Sequence, residues 1–197
     1  MSAQSSDPHY PSFVERAKTV FTTWLENPSQ VSSLVPSSEA LTQCIADCQC
    51  VRDASLVVDL GPGTGETTRA LLKQMQPSSR LLAVEVMDEL VEPLRKISDS
   101  RLIAKQGDAR KLREYLTELK LGAPDVVVSG IPFSTLDADD ADSIVDTIHG
   151  ALREGGIFIA YQFLASIEEI AEPRFGKATV KRVWKNLPPL RVYTWMK

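Results

Sequence analysis

Asp59-Leu60-Gly61-Pro62-Gly63-Thr64-Gly65 places three glycines at alternate positions directly behind an acid that ends an apolar run. Glycines in such a turn permit positive φ and close backbone approach, so an extended ligand can lie across exposed N–H groups at the end of a strand. A nucleotide-like cofactor is the natural occupant. The dinucleotide pattern G-x-G-x-x-G puts its last glycine three residues after the second, whereas here the interval is two. Asp59 would also face a pyrophosphate with an unfavourable negative charge. A sulfonium nucleoside carries no phosphate and escapes that objection. Glu85 ends the next apolar run about 20 residues after the turn, where one carboxylate can accept both hydroxyls of a ribose. The same acid could instead cap the helix that follows, a role Asp88 could also take.

The stretch from Asp59 to Gly65 resembles motif I of class I S-adenosylmethionine-dependent methyltransferases, and later segments extend the likeness. Gln106-Gly107-Asp108-Ala109 matches the end of the third strand in those enzymes, which implies that Asp108 faces the adenine amino group; it could also cap the next helix. Gly130-Ile131-Pro132-Phe133 is similar to the turn that holds a planar amine in amino-methyltransferases, [DNS]-[PI]-P-[YF], but with glycine in the polar position. Ser129 is then the nearest replacement. The resemblance implies cofactor contacts from Asp59, Gly61, Gly63, Thr64, Gly65, Glu85, Val86, Gly107, Asp108, Ala109 and Ser129. It implies a reaction centre at Ser129, Gly130, Ile131 and Tyr161, where backbone carbonyls and the Tyr161 hydroxyl hold a neutral amine. Substrate contacts fall to Phe133 and Ser37, although Phe133 could equally be a core residue.

These residues need strand ends and helix starts to position them. Apolar runs give strands at Leu56–Leu60, Arg80–Glu85, Arg101–Lys105, Pro124–Ser129 and Ile157–Tyr161. Helices are expected over Glu39 to about Cys48, Glu66–Gln76, Met87–Ile97, Arg110–Leu119 and Ala141–Leu152, with Ser134 to Asp142 a solvated loop carrying four aspartates. Thr179–Lys185 and Leu190–Met196 alternate as two further strands. The expected fold is α/β: a Rossmann-like class I methyltransferase sheet, mainly parallel, with an antiparallel C-terminal strand and helices on both faces.

At 197 residues the chain fits one sizeable domain, expected over residues 37–197 behind an N-terminal tail, amphipathic helix and loop at 1–36. Phe13, Val14, Ala17, Val20, Phe21, Trp24 and Leu25 share one helical face. That helix either packs on the sheet or covers the cofactor, or lies in a lipid interface through Phe13, Phe21 and Trp24 with Arg16 and Lys18 near the headgroups. No apolar run approaches the ~20 residues of a spanning helix and no signal peptide opens the chain, so a cytoplasmic protein is expected, peripheral to the membrane if the helix anchors it. Cys44, Cys48 and Cys50 read as small apolar residues rather than ligands, and no metal is expected. A net charge of −4 gives no bulk attraction to nucleic acid.

Beyond the common motifs, Phe21 to Pro28, Val31 to Ser38, Val127 to Pro132 and Val183 to Pro189 with Tyr193-Thr194-Trp195 resemble bacterial phospholipid N-methyltransferases. That family is similar to ribosomal RNA adenine dimethylases. The resemblance implies methyl transfer from S-adenosylmethionine to a lipid headgroup amine, as from phosphatidylethanolamine towards phosphatidylcholine, by an enzyme touching a membrane surface. The net charge, Gly130 and the lack of room for a C-terminal RNA-binding domain weigh against RNA. A small-molecule amine, or a non-catalytic cofactor-binding role, stays open.

Overall fold

The computed structural model describes residues 39–162, 166–184 and 190–197. The expected N-terminal helix with Phe13, Arg16, Phe21 and Trp24, the loop with Ser37, and the Lys185–Pro189 segment lie outside the described residues. The chain runs α1 (Glu39–Ala46), α2 (Gln49–Asp53), β1 (Leu56–Leu60), α3 (Glu66–Gln74), β2 (Arg80–Glu85), α4 (Asp88–Arg95) and β3 (Leu102–Gln106). A 3-10 turn, Ala109–Lys111, leads to α5 (Leu112–Glu118), followed by β4 (Val126–Ser129), a second 3-10 turn (Phe133–Thr135), α6 (Ala138–Ala151), β5 (Ile157–Gln162), α7 (Ser166–Phe175), β6 (Thr179–Val183) and β7 (Leu190–Met196).

The strands form one sheet in the order β3-β2-β1-β4-β5-β7-β6. β1 pairs in parallel with β2 and β4, while β7 runs antiparallel to both β5 and β6. The chain builds outward from β1 to β3 and then returns to place β4 on the other side of β1. This reversal opens a crevice at the carboxyl ends of β1 and β4, where open α/β sheets bind ligands.

β1 is buried at every position, as a central strand with both faces covered must be. Val58 and Leu60 face a core shared with α5, α6 and α7; Val57 faces a second core with Leu41, Leu71 and Leu94 from α1, α3 and α4. Trp195 on β7 stacks on Phe158 at 5.0 Å and on Tyr193 at 5.7 Å, which fastens the antiparallel strand to the first core.

Three departures from the sequence reading have local causes. α6 begins at Ala138, three residues earlier than expected, because two of the aspartates find arginine partners. Asp139 and Asp140 occupy the positive first turn of the helix. Asp140 is 9% exposed and pairs with Arg110, and Asp142 pairs with Arg174 at 2.8 Å. α7 was not expected: its buried stripe is only Ile167 and Ala171, and Pro173 lies inside it. The helix expected through Cys48 divides into α1 and α2. Cys44, Cys48 and Cys50 are half-buried against the second core as expected, but Cys48 and Cys50 are joined as a disulfide.

Candidate active site

Three strand ends converge at the crevice. Gly61 follows β1 with φ +66°, and a Cβ there would lie 3.0 Å from Ile131 Cγ1, so the turns after β1 and β4 touch only because one of them carries no side chain. Gly61 N donates to the Val84 carbonyl and Gly130 N to the Leu60 carbonyl, both at 2.9 Å, which extends the sheet ladder into the two turns. A Cβ on Gly130 would collide with the hydroxyl of Tyr161 and come within 2.7 Å of its Cζ and 2.9 Å of the Gly61 carbonyl. The Tyr161 hydroxyl therefore fills the place where related turns carry a polar side chain. It lies 3.3 Å from Thr67 Oγ1 on α3.

Gly63 and Gly65 also take positive φ, and no atom lies within 4 Å of a Cβ placed on Gly63. Its outer side is open space. Its N–H donates at 3.1 Å to Glu85 Oε2, while Met87 N donates at 3.1 Å to Oε1. Glu85 is thereby held at the end of β2 with acceptor capacity to spare. Burial raises its pKa above the usual carboxylate value, and hydrogen bonds from Met87, Gly63 and Val86 oppose that rise. Thr64 is exposed, and its hydroxyl donates to Glu66 at 2.6 Å.

Asp59 is completely buried beneath the start of α3. Thr68 Oγ1 donates to its Oδ2 at 2.7 Å, but Oδ1 has no partner. Desolvation pushes its pKa up to about 7, against the lowering effect of the Thr68 hydrogen bond, and the Glu85 charge adds to the rise. A buried carboxyl with one orphaned oxygen is a costly arrangement for a protein to keep.

On the far side, Asp108 accepts from Arg110 N at 2.9 Å and caps the 3-10 turn, the second of its two expected roles. Its Oδ2 also accepts from Nε and Nη2 of the Arg110 side chain. Tyr115 packs over Gly107, where a Cβ would collide with the ring, and its hydroxyl accepts from Asp108 N at 3.1 Å. Ala109 is buried and Val86 half-buried.

Two expectations for the reaction centre need correction. The Ile131 carbonyl already accepts from Gln162 Nε2 at 2.6 Å and Phe133 N at 2.9 Å, so both lone pairs are engaged and none is left for an amine. Phe133 is 2% exposed inside the first core, which is its alternative role as a core residue. Ser129 is fully buried, and its hydroxyl accepts from Ile131 N at 3.3 Å, bracing the turn. Sequence reasoning missed Thr67, Thr68 and Gln162. Thr68 was legible in principle, since the first two turns of α3 must lie over the end of β1.

The glycine turn, the open space beside Gly63, the fixed acid at Glu85 and the orphaned Asp59 oxygen fit an extended, cationic nucleoside. Among the described residues no group of His, Cys, Asp and Glu is placed to hold a metal.

Residues 57–156 match the family described as methyltransferase domain. The ornithine lipid N-methyltransferase of Singulisphaera acidiphila is 25% identical over 173 residues, covering 86% of this chain and 90% of that one. Among solved structures, the Thermus thermophilus 16S rRNA N2 G1207 methyltransferase, bound to AdoMet and guanosine, shares 25% identity with a TM-score of 0.62 over 83% of this chain, which spans only 43% of that enzyme. NodS, an N-methyltransferase from Bradyrhizobium japonicum in complex with S-adenosyl-L-homocysteine, has a TM-score of 0.66 at 12% identity, covering 92% of this chain and 98% of that one. A likeness at 12% identity is one of fold.

Proposed function

The chain belongs to the methyltransferase-domain family and is an S-adenosylmethionine-dependent enzyme, and from that premise we propose that it methylates the headgroup amine of an aminolipid. The observation that carries the reading is the occupation of the Gly130 side-chain space by the Tyr161 hydroxyl. A planar amine is held in the turns this one resembles by a side chain from that position. Here the polar group is a phenol from β5, which suits a flexible alkylamine approaching from outside. The 25% identity to an ornithine lipid N-methyltransferase supports the same class. Phosphatidylethanolamine and ornithine lipid both present a primary alkylamine beside an anionic group, and either fits.

The bound cofactor supplies a methyl group on a cationic sulfur. Glu85, pinned by Gly63 and Met87, would accept the ribose hydroxyls with its remaining acceptor capacity, and the turn from Gly61 to Gly65 would let backbone N–H groups approach. Asp59, buried beneath the turn, would offer its unpartnered Oδ1 to the positive charge of the cofactor's ammonium end. Asp108 keeps acceptor capacity for the adenine amino group while it caps its own turn. An alkylammonium substrate first gives a proton to solvent. Tyr161 Oη then accepts a hydrogen bond from the neutral amine and aligns its lone pair for in-line attack, a contribution of positioning rather than of acid or base chemistry.

Tyr161→Phe removes that acceptor and leaves the ring packed on Gly130. Methylation of ornithine lipid or phosphatidylethanolamine should fall ~30-fold in kcat, the value of one hydrogen bond of about 2 kcal/mol, with cofactor affinity unchanged by calorimetry. An unchanged kcat removes Tyr161 from the reaction centre.

A further inference from the structure

From Arg174 onward the chain contains seven basic residues and no acidic one, although its net charge is −4. The rest of the chain therefore holds 15 of the 22 Lys and Arg against all 26 Asp and Glu. Arg174 and Lys197 have acidic partners, at 2.8 Å to Asp142 and 3.7 Å to Glu154. Among the described residues Lys177, Lys181, Arg182 and Arg191 form no ion pair; Glu168 on α7 is the acid whose charge Arg191 feels.

The register puts this charge beside the site. Arg182 on β6 lies directly opposite Arg191 on β7, and Arg191 lies opposite Gln162 on β5. Gln162 holds the Ile131 carbonyl at 2.6 Å, so the basic row starts one hydrogen bond from the turn after β4. With strands ~4.8 Å apart, Arg182 is only about 10 Å from Gln162 along that row. Like charges directly opposite in a sheet are destabilising, and among the described residues no ion pair offsets this one, Glu168 acting on Arg191 only at longer range. β6 is the edge strand, and its face away from the second core presents Val180, Arg182 and Trp184 in alternation. Trp184 is 70% exposed, with the Arg182 guanidinium 5.9 Å from its ring.

We propose that the β6–β7 edge is a docking surface for an anionic lipid bilayer, seating the crevice over the headgroups. Charge complementarity names the partner: on a chain whose acidic residues all lie before Arg174, this basic edge is the face that an anionic leaflet attracts. An exposed tryptophan and valine flanking an arginine is the composition of a membrane interface. Single-stranded nucleic acid would call for several stacking aromatics, and this edge offers one. The surface rests on the aminolipid reading and adds to it how a protein of net negative charge reaches its substrate.

The test uses the full chain and vesicles of phosphatidylcholine with or without phosphatidylglycerol. Wild type should cosediment with the anionic vesicles and lose binding as salt rises. The K177Q/K181Q/R182Q variant, altered only at exposed positions, should bind on the order of 100-fold more weakly, about fivefold for each charge removed. W184S should weaken binding and remove the part of the blue shift of tryptophan emission on anionic vesicles that Trp184 contributes. Cofactor affinity should be unchanged in both variants, which keeps a folding defect from imitating the result. Anionic-vesicle binding that survives the triple substitution overturns the proposal, as does a loss confined to RNA. Lipid dispersed in detergent separates the two readings: variants that dock poorly yet methylate dispersed aminolipid support both. A protein that docks through this edge but methylates no lipid retains the surface and refutes the substrate.

Discussion

Asp59→Asn should make the cofactor-free protein more stable, and increasingly so as pH rises. Asp59 is wholly buried with its pKa pushed from 3.8 to about 7. Between those values the folded chain keeps a proton that the unfolded chain has lost, so stability falls as pH rises across this window and levels off above it. At about 1.4 kcal/mol per pH unit, the rise corresponds to about 4 kcal/mol of destabilisation at pH 8. Asparagine preserves volume and can still accept from the Thr68 hydroxyl, which lies 2.7 Å from Oδ2. Its stability advantage should therefore be about 2.5 kcal/mol larger at pH 8 than at pH 5. Urea denaturation at the two pH values, read by the fluorescence of buried Trp195, measures this directly. An advantage that does not change with pH, or a variant less stable than wild type at pH 8, would refute an ionisable Asp59 held against its own desolvation. The same substitution should weaken cofactor binding at pH 8, because the orphaned oxygen is then a carboxylate awaiting a cation.

Glu85→Gln keeps one oxygen for two backbone donors, Gly63 N and Met87 N. Losing one charge-assisted hydrogen bond of about 2 kcal/mol should raise the cofactor Kd ~30-fold by calorimetry; an unchanged Kd removes Glu85 from the site. Arg101 reaches the carbonyls of Leu72 and Met75 at the end of α3 at 2.7 and 2.9 Å while pairing with Asp99. Arg101→Ala should cost about 2 kcal/mol in urea denaturation and leave kcat intact, whereas a kcat defect without a stability loss contradicts that assignment.

The parallel part of the fold was legible because its strands are continuous apolar runs: β1 and β2 fall where the pattern puts them. α7 was not, because a helix covering the sheet near its edge buries only Ile167 and Ala171. The glycine turn and the acid at Glu85 were readable from spacing alone. What Gly130 lacks was visible in the sequence; what stands in its place was not, because Tyr161 lies 31 residues away and meets it only through the pairing of Ser129 with Ala160. The Ile131 carbonyl failed as an amine acceptor for the same kind of reason, since its second donor is Gln162 on β5. The charge asymmetry at the C-terminal strands disappears in a net charge and becomes informative once the register aligns Arg182 with Arg191.

The most direct measurement gives the purified protein methyl-labelled S-adenosylmethionine together with phosphatidylethanolamine vesicles, ornithine lipid vesicles and ribosomal RNA, then follows the label. Transfer to the amine of either lipid, slowed ~30-fold in Tyr161→Phe, is the predicted result. Label in RNA, with none in lipid, would contradict a site in which a tyrosine hydroxyl has taken the place of the side chain that holds a base.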